Sequence, residues 1–118
     1  MRYETPCMKI QLKPDGLERV REWATTLNQS RRVEALATLR DETVVFEAAF
    51  LDHTAEGDLI DVMKAESFEK AREAAVTSMH EIDRYHKEFK RDIWNGRKQL
   101  ELLLDLDRIG KLAPDKVQ

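Results

Sequence analysis

Residues Cys7 to Lys13 alternate without a break. Met8, Ile10 and Leu12 fall on one side, and Lys9, Gln11 and Lys13 on the other. Successive side chains of an extended chain point to opposite faces, so this segment is predicted to be a strand with one strongly apolar face. Pro14-Asp15-Gly16 breaks it. The chain is thereby tied to a sheet, and the remaining elements have to be arranged around that sheet.

Leu17, Val20, Trp23, Ala24 and Leu27 follow at helical spacing, and Val33, Leu36, Ala37 and Leu39 form a second apolar set after Asn28-Gln29-Ser30. At roughly 100° per residue the second set is rotated away from the first, and one straight helix cannot bury both on a single face. A kink or restart is expected near Ser30, which can cap a new helix. Thr43 to Leu51 is rich in β-branched and aromatic residues and reads as a strand. His53 to Gly57 is a turn, and Asp58 to Glu66 returns as the second arm of a hairpin. Ser67 is a good N-cap for a helix from Phe68 through Ala75 or Val76, with Lys70 where a capping box has its acid. Ile82 to Trp94 is predicted to be helical, with Ile82, Phe89 and Ile93 on one side, flanked by Met79, Tyr85 and His86. Asn95-Gly96 is expected to end it, glycine supplying a positive φ. Leu100, Leu102, Leu104 and Leu106 alternate with Glu101, Leu103, Asp105 and Asp107, which predicts a fourth strand. From Arg108, through Pro114, the tail has little to pack and is expected to fray.

The 118 residues fit one domain, spanning 1–118 with its core at about 5–107. Twenty basic residues against 23 acidic ones give a net charge of −3, which argues against a general nucleic-acid or anionic-membrane binder. Cys7 is the only cysteine, so neither an intrachain disulfide nor a cysteine-rich zinc site is possible. No apolar run resembles a signal peptide or reaches the roughly 20 residues that span a bilayer. A cytoplasmic setting is expected. No glycine-rich phosphate loop or serine elbow is present.

The order strand, helix, strand, strand, helix pair, strand is that of a split β-α-β unit. It predicts an α+β ferredoxin-like sandwich, β-α-β-β-α-β, with helices on one face of a four-stranded antiparallel sheet. The sheet face away from the helices is expected to be mixed: Val45, Ala49, Leu51, Leu59, Met63 and Leu103 with Gln11, Glu47, Asp61 and Asp105. Those apolar side chains are too many for a solvated face, so a homodimer through the sheet face is expected.

This layout resembles the dimeric α/β-barrel superfamily, which includes antibiotic-biosynthesis monooxygenases, haem-degrading monooxygenases and sugar mutarotases. Three segments resemble a small uncharacterised bacterial family of this length: Lys9-Ile10-Gln11-Leu12-Lys13-Pro14, Glu34-Ala35-Leu36-Ala37-Thr38-Leu39-Arg40-Asp41-Glu42, and His80 through Phe89. The resemblance implies the dimeric fold. It brings no established activity, and no superfamily member's catalytic residues map onto this chain.

Chemistry concentrates at His80-Glu81-Ile82-Asp83-Arg84-Tyr85-His86. On a helix His80, Asp83 and His86 form a stripe about 120° wide, each within reach of the next. They are the candidate catalytic residues, with Asp83 orienting a His86 imidazole that exchanges a proton with a ligand. The same stripe also fits a plain helix flank. A transition metal held by the three is a sharper alternative, but the histidines stand six apart rather than four, and no metal or cofactor is expected. Glu47 and Asp61 lie mid-strand on paired strands, either as an inter-subunit salt bridge or as the polar lining of a cavity. Trp23, Tyr85 and Trp94 can wall an apolar pocket beside His86, although aromatics at this spacing also serve as ordinary core. The reading is a small-molecule-binding domain open to cofactor-independent catalysis, with its site between the sheet and the His86 helix. The alternative is a non-catalytic homodimeric interaction or structural domain. A cavity beside His86 separates the two readings, because a filled core there favours the second.

Overall fold

A computed structural model describes residues 3–53, 57–78 and 80–109. Strand β1 (Cys7–Leu12) leads to helices α1 (Leu17–Thr25) and α2 (Arg32–Asp41), then to strands β2 (Val44–Asp52) and β3 (Asp58–Ala65). Helices α3 (Phe68–Thr77) and α4 (Glu81–Ile93) follow, and strand β4 (Trp94–Gln99) closes the fold. The strands make one antiparallel sheet in the order β2-β3-β1-β4. Of the predicted hairpin turn, residues 54–56 lie outside the described residues, as do Met79 and residues 110–118 of the predicted tail.

The alternation in β1 decides where the core sits. Ile10 and Leu12 are each only 1% exposed and pack with Val20 and Trp23 of α1, Leu59 of β3, and Phe89 and Ile93 of α4. A smaller cluster of Val44, Ala65 and Ala71, with Leu39 and Met63 beside it, lies under α2 and α3. Gly57 lets β3 begin close to α1. Its φ is +94°, and a Cβ there would stand 2.8 Å from Leu17 Cδ2, so a side chain would be strained and would clash.

The expected break between the two apolar sets is a wide turn at Thr26–Ser30, closed by an i→i+5 bond from Arg31 N–H to Thr26 O at 2.9 Å. One extra residue in a turn rotates everything after it by about 100°; of the second set only Leu39 then packs against the core, while Val33 stays 82% exposed. Ser30 sits inside this turn and caps nothing. The N-cap of α2 is Arg31, whose guanidinium bonds Glu34 instead of the backbone. By contrast Ser67 caps α3 as expected, its Oγ accepting from Lys70 N–H at 3.2 Å.

Two expectations are corrected. The fourth strand is Trp94–Gln99, not the leucine-rich stretch after it. Helix α4 ends at Ile93, whose carbonyl accepts from Lys13 N–H at 2.7 Å, so the chain enters the sheet at once and uses up the length of β1. Gly96 does have a positive φ, +127°, but within β4, where the register with β1 slips by one residue, and not at a helix cap. Residues 101–107 run on outside any strand. Leu102, Leu103, Leu104 and Leu106 are 55–86% exposed there, while Asp105 and Asp107 fold back onto Lys64 at 2.5 and 2.6 Å.

The sheet faces are also reversed from expectation. Asp61 pairs with Met8 and Ala49, Leu59 with Ile10 and Leu51, and Met63 with Glu47. Directly opposed residues share a face, so Ala49, Leu51, Leu59, Met63, Glu47 and Asp61 all lie on the helix side with Ile10. Gln11 pairs with Asp58 on the opposite face. That outer face carries Phe46 and Phe50, 41% and 61% exposed, and also Lys64, 3% exposed beneath the two aspartates.

Candidate functional site

Between the two core clusters the helices do not close on the sheet. A cavity of about 540 Å³ remains, walled by all four helices and all four strands. It opens beside His86, where the sequence places a pocket. Trp23 and Ala24 of α1, Leu36 and Leu39 of α2, Ala71 and Ala75 of α3, and Ile82 and Phe89 of α4 supply apolar wall. The sheet supplies Glu47, Asp61, Trp94 and Arg97 as floor, and α4 adds Asp83, His86 and Lys90.

His86 is held by aromatic packing. Trp23 and Phe89 stack with centroids 4.7 Å apart and planes 4° apart, and the imidazole lies 5.6 Å from Trp23. Trp23 Nε1–H donates to His86 Nδ1 at 3.1 Å. The bond fixes the tautomer: Nδ1 accepts, so the proton sits on Nε2. Burial, and then the charge of Lys90, push the His86 pKa down to about 3. At neutral pH this imidazole is an uncharged hydrogen-bond donor. Trp23, not Asp83, orients it.

The carboxyls behave in the opposite way. Burial, the charge of Glu47 and a hydrogen bond between the two carboxyls hold Asp61 far above the usual carboxylate range, so the pair retains a proton at neutral pH. Burial, followed by the charges of Asp83 and Glu47, brings Glu42 to about 7. Lys90, like Arg97, is a cation among them. Its Nζ lies 4.9 Å from the centre of the Trp94 ring, and burial lowers its pKa, against the opposing pull of Glu47.

Three buried polar atoms in this lining have no hydrogen-bond partner: Asp61 Oδ1, Asp83 Oδ2 and Trp94 Nε1. Buried polar groups left unbonded are uncommon and costly, and these three all border one cavity.

The cavity thus gathers His86, Asp83, Trp23, Trp94, Glu47 and Asp61 from the residues singled out in the sequence. It does not gather His80 or Tyr85. His80 is the N-cap of α4, and its Nε2 lies 2.7 Å from Asp41 Oδ2, a bond that raises its pKa. It borders a separate space of about 230 Å³ between α2, α3 and α4, whose wall shares Glu42 and Asp83 with the main cavity. Tyr85 packs against the core on another side of α4, under Arg19 and Arg31, with its hydroxyl 3.5 Å from Thr26 Oγ1. Among the described residues no group of three or more His, Cys, Asp and Glu side chains is arranged to hold a metal ion. In the sequence Lys90 and Arg97 belong to a basic run, Lys87, Lys90, Arg91, Arg97 and Lys98, that reads as a solvated helix face, although Lys90 stands four residues after His86 and so shares its side of the helix. Nothing in the local pattern distinguishes Glu42 from a surface charge.

A family model described as a family of unknown function, DUF6176, matches residues 3–111. The crystal structure of PA3566 from Pseudomonas aeruginosa is similar in fold, with a TM-score of 0.53 at 15% identity, over 85% of this chain and 93% of that one. No curated protein matches the chain significantly. No helix among the described residues is long and apolar enough to cross a membrane.

Proposed function

The chain belongs to DUF6176, a family of unknown function, and we propose that it binds a small polar organic molecule in the cavity between its sheet and helices. The observation that carries this reading is the set of unpartnered buried atoms around one cavity: two carboxyl oxygens, on β3 and α4, and an indole N–H on β4. The volume suits a ligand of metabolite size. In this proposal His86 donates a hydrogen bond through Nε2, and the Asp61–Glu47 pair, rather than a His86–Asp83 pair, handles protons. Any catalysis at the site would be acid–base chemistry of these side chains, without a cofactor.

We further propose that the fold is a ferredoxin-like sandwich of the dimeric α/β-barrel type. The strand order, read from the other edge as β4-β1-β3-β2, supports the first part. The second rests on a different outer face from the one expected in the sequence. Phe46 and Phe50 are exposed there, beside the segment whose Asp105 and Asp107 bond Lys64 and whose leucines are exposed, and a second copy would cover the two phenylalanines. Light scattering is expected to give twice 13.8 kDa, and Phe50→Asp to halve that value. A monomeric native chain contradicts the dimer.

The binding reading is tested by a ligand-observed NMR screen of small polar metabolites, repeated with Ala75→Leu, which narrows the cavity from α3. Hits that bind the native chain and are lost in the variant support it. A screen without hits, or hits indifferent to the variant, refutes it.

A further inference from the structure

We infer that Lys90 is a covalent capture residue for an aldehyde or ketone ligand, forming an imine with it inside the cavity; the inference rests on the binding reading above. Lys90 projects from α4 one turn beyond His86 and lines the cavity. Its ammonium is set over the Trp94 ring instead of in bulk water. Glu47, Asp61 and Glu42 line the same cavity and favour its charged form, while burial and then Arg97 oppose it, so a proton-carrying carboxyl pair on the sheet floor shares the space with the amine. An imine-forming site needs an amine that is partly uncharged, an acid beside it and shelter from water. Burial supplies the first by favouring the neutral amine, and the shared proton of Asp61 and Glu47 supplies the second.

The step balances. The uncharged Nζ gives its lone pair to the carbonyl carbon, and the C=O π pair moves to oxygen, which takes the proton of the carboxyl pair. The nitrogen, now carrying an extra proton, returns it to the pair, leaving a neutral carbinolamine. The pair protonates the carbinolamine hydroxyl, which departs as water while the nitrogen lone pair closes the C=N bond. A protonated imine and a carboxylate replace a neutral amine and a carboxylic acid, and one water is released. No oxidant, metal or second reactant is involved. His86 Nε2–H, on the same helix face, is a donor for a hydroxyl or carbonyl beside the captured carbon.

The test uses the native chain with glycolaldehyde as the probe and cyanoborohydride as the trap, at pH 6.5. Adducts are mapped by peptide mass spectrometry, and the Trp94 indole N–H signal is followed with probe but no reductant. Lys90 is expected to be labelled at least about tenfold faster than the median lysine, and more slowly in Asp61→Asn, which keeps the amine but cannot cycle the proton. Labelling of Lys90 no faster than the exposed lysines overturns the inference. If the Trp94 signal moves while Lys90 stays unlabelled, capture fails and the cavity reading stands. If neither responds, imine capture of this carbonyl class and entry of small polar carbonyls into the cavity fail together.

Discussion

The two ends of the helix layer cover the same sheet in different ways. Under α1 and α4 the space is taken by large side chains: Phe89 at 0% exposure, Ile10 and Leu12 at 1%, and the Trp23–Phe89 stack. Under α2 and α3 the buried residues are Val44, Ala65 and Ala71, while Val33 of α2 is 82% exposed and Leu36, 50% exposed, borders the cavity. One end is filled and the other stands off the sheet, so the carboxyls, Lys90 and Trp94 Nε1 lie along a gap and not in a sealed core. The contrast shows that an aromatic core at one end can carry the fold while a cavity remains toward the other end.

The largest effect is expected where the comparison is sharpest. Phe89→Ala should cost about 3–5 kcal/mol, because the packed end cannot collapse around the loss. Ala75→Leu, in the open end, should change stability by less than about 1.5 kcal/mol, since it adds volume where there is space. Urea unfolding measures both. Equal losses would mean that the two ends are equally packed.

Next in size is a pH effect that separates His86 from the carboxyls. The folded pKa of His86, about 3, lies below its ordinary value of 6.5. The unfolded chain therefore takes up a proton that the native state refuses, and stability is lost as the pH falls below about 6.5. His86→Gln, whose side-chain oxygen can still accept from Trp23, should remove that loss, on the order of 3 kcal/mol by pH 4. Asp61 and Glu42 act in the other direction. Their folded pKa values are raised, so the native state keeps protons that the unfolded chain gives up, and stability falls as the pH rises from about 4 toward 7. Asp61→Asn should be more stable relative to the native chain at pH 7 than at pH 4. Urea midpoints at pH 4, 5.5 and 7 check both signs.

The smallest expected effect concerns how the open end is held at all. Ser67 is the side-chain cap of α3, and Ser67→Ala should lower stability by about 1 kcal/mol in the same assay. A loss as large as that of Phe89→Ala would show α3 to be a main support of the core.

Much of this fold was legible because local chemistry and tertiary demand agreed. The β1 alternation, the Ser67 cap and the phase slip near Ser30 each follow from spacing alone. The fourth strand was not legible, since Trp94–Gln99 offers one large apolar residue and the leucines after it imitate a strand better. Nor was the facing of β3. Leu59, Asp61 and Met63 alternate with Asp58, Ile60, Val62 and Lys64, both sets are mixed, and only the pairing of Leu59 with Ile10 decides which turns inward. Within the site, His86, Asp83 and the aromatics could be picked out by type. The Trp23–His86 bond joins residues 63 apart in the chain, and the meeting of Asp61 with Glu47 depends on a cross-strand register that no local pattern encodes.

The central claim is that the gap between helices and sheet is a ligand site. It is tested most directly by a high-resolution crystal structure of the native chain soaked with a hit from the screen. The account predicts ordered ligand atoms within hydrogen-bond distance of Asp61 Oδ1, Asp83 Oδ2 and Trp94 Nε1. A structure in which α2 and α3 close onto the sheet and those three atoms bond only to protein groups, with no room left beside His86, would contradict it.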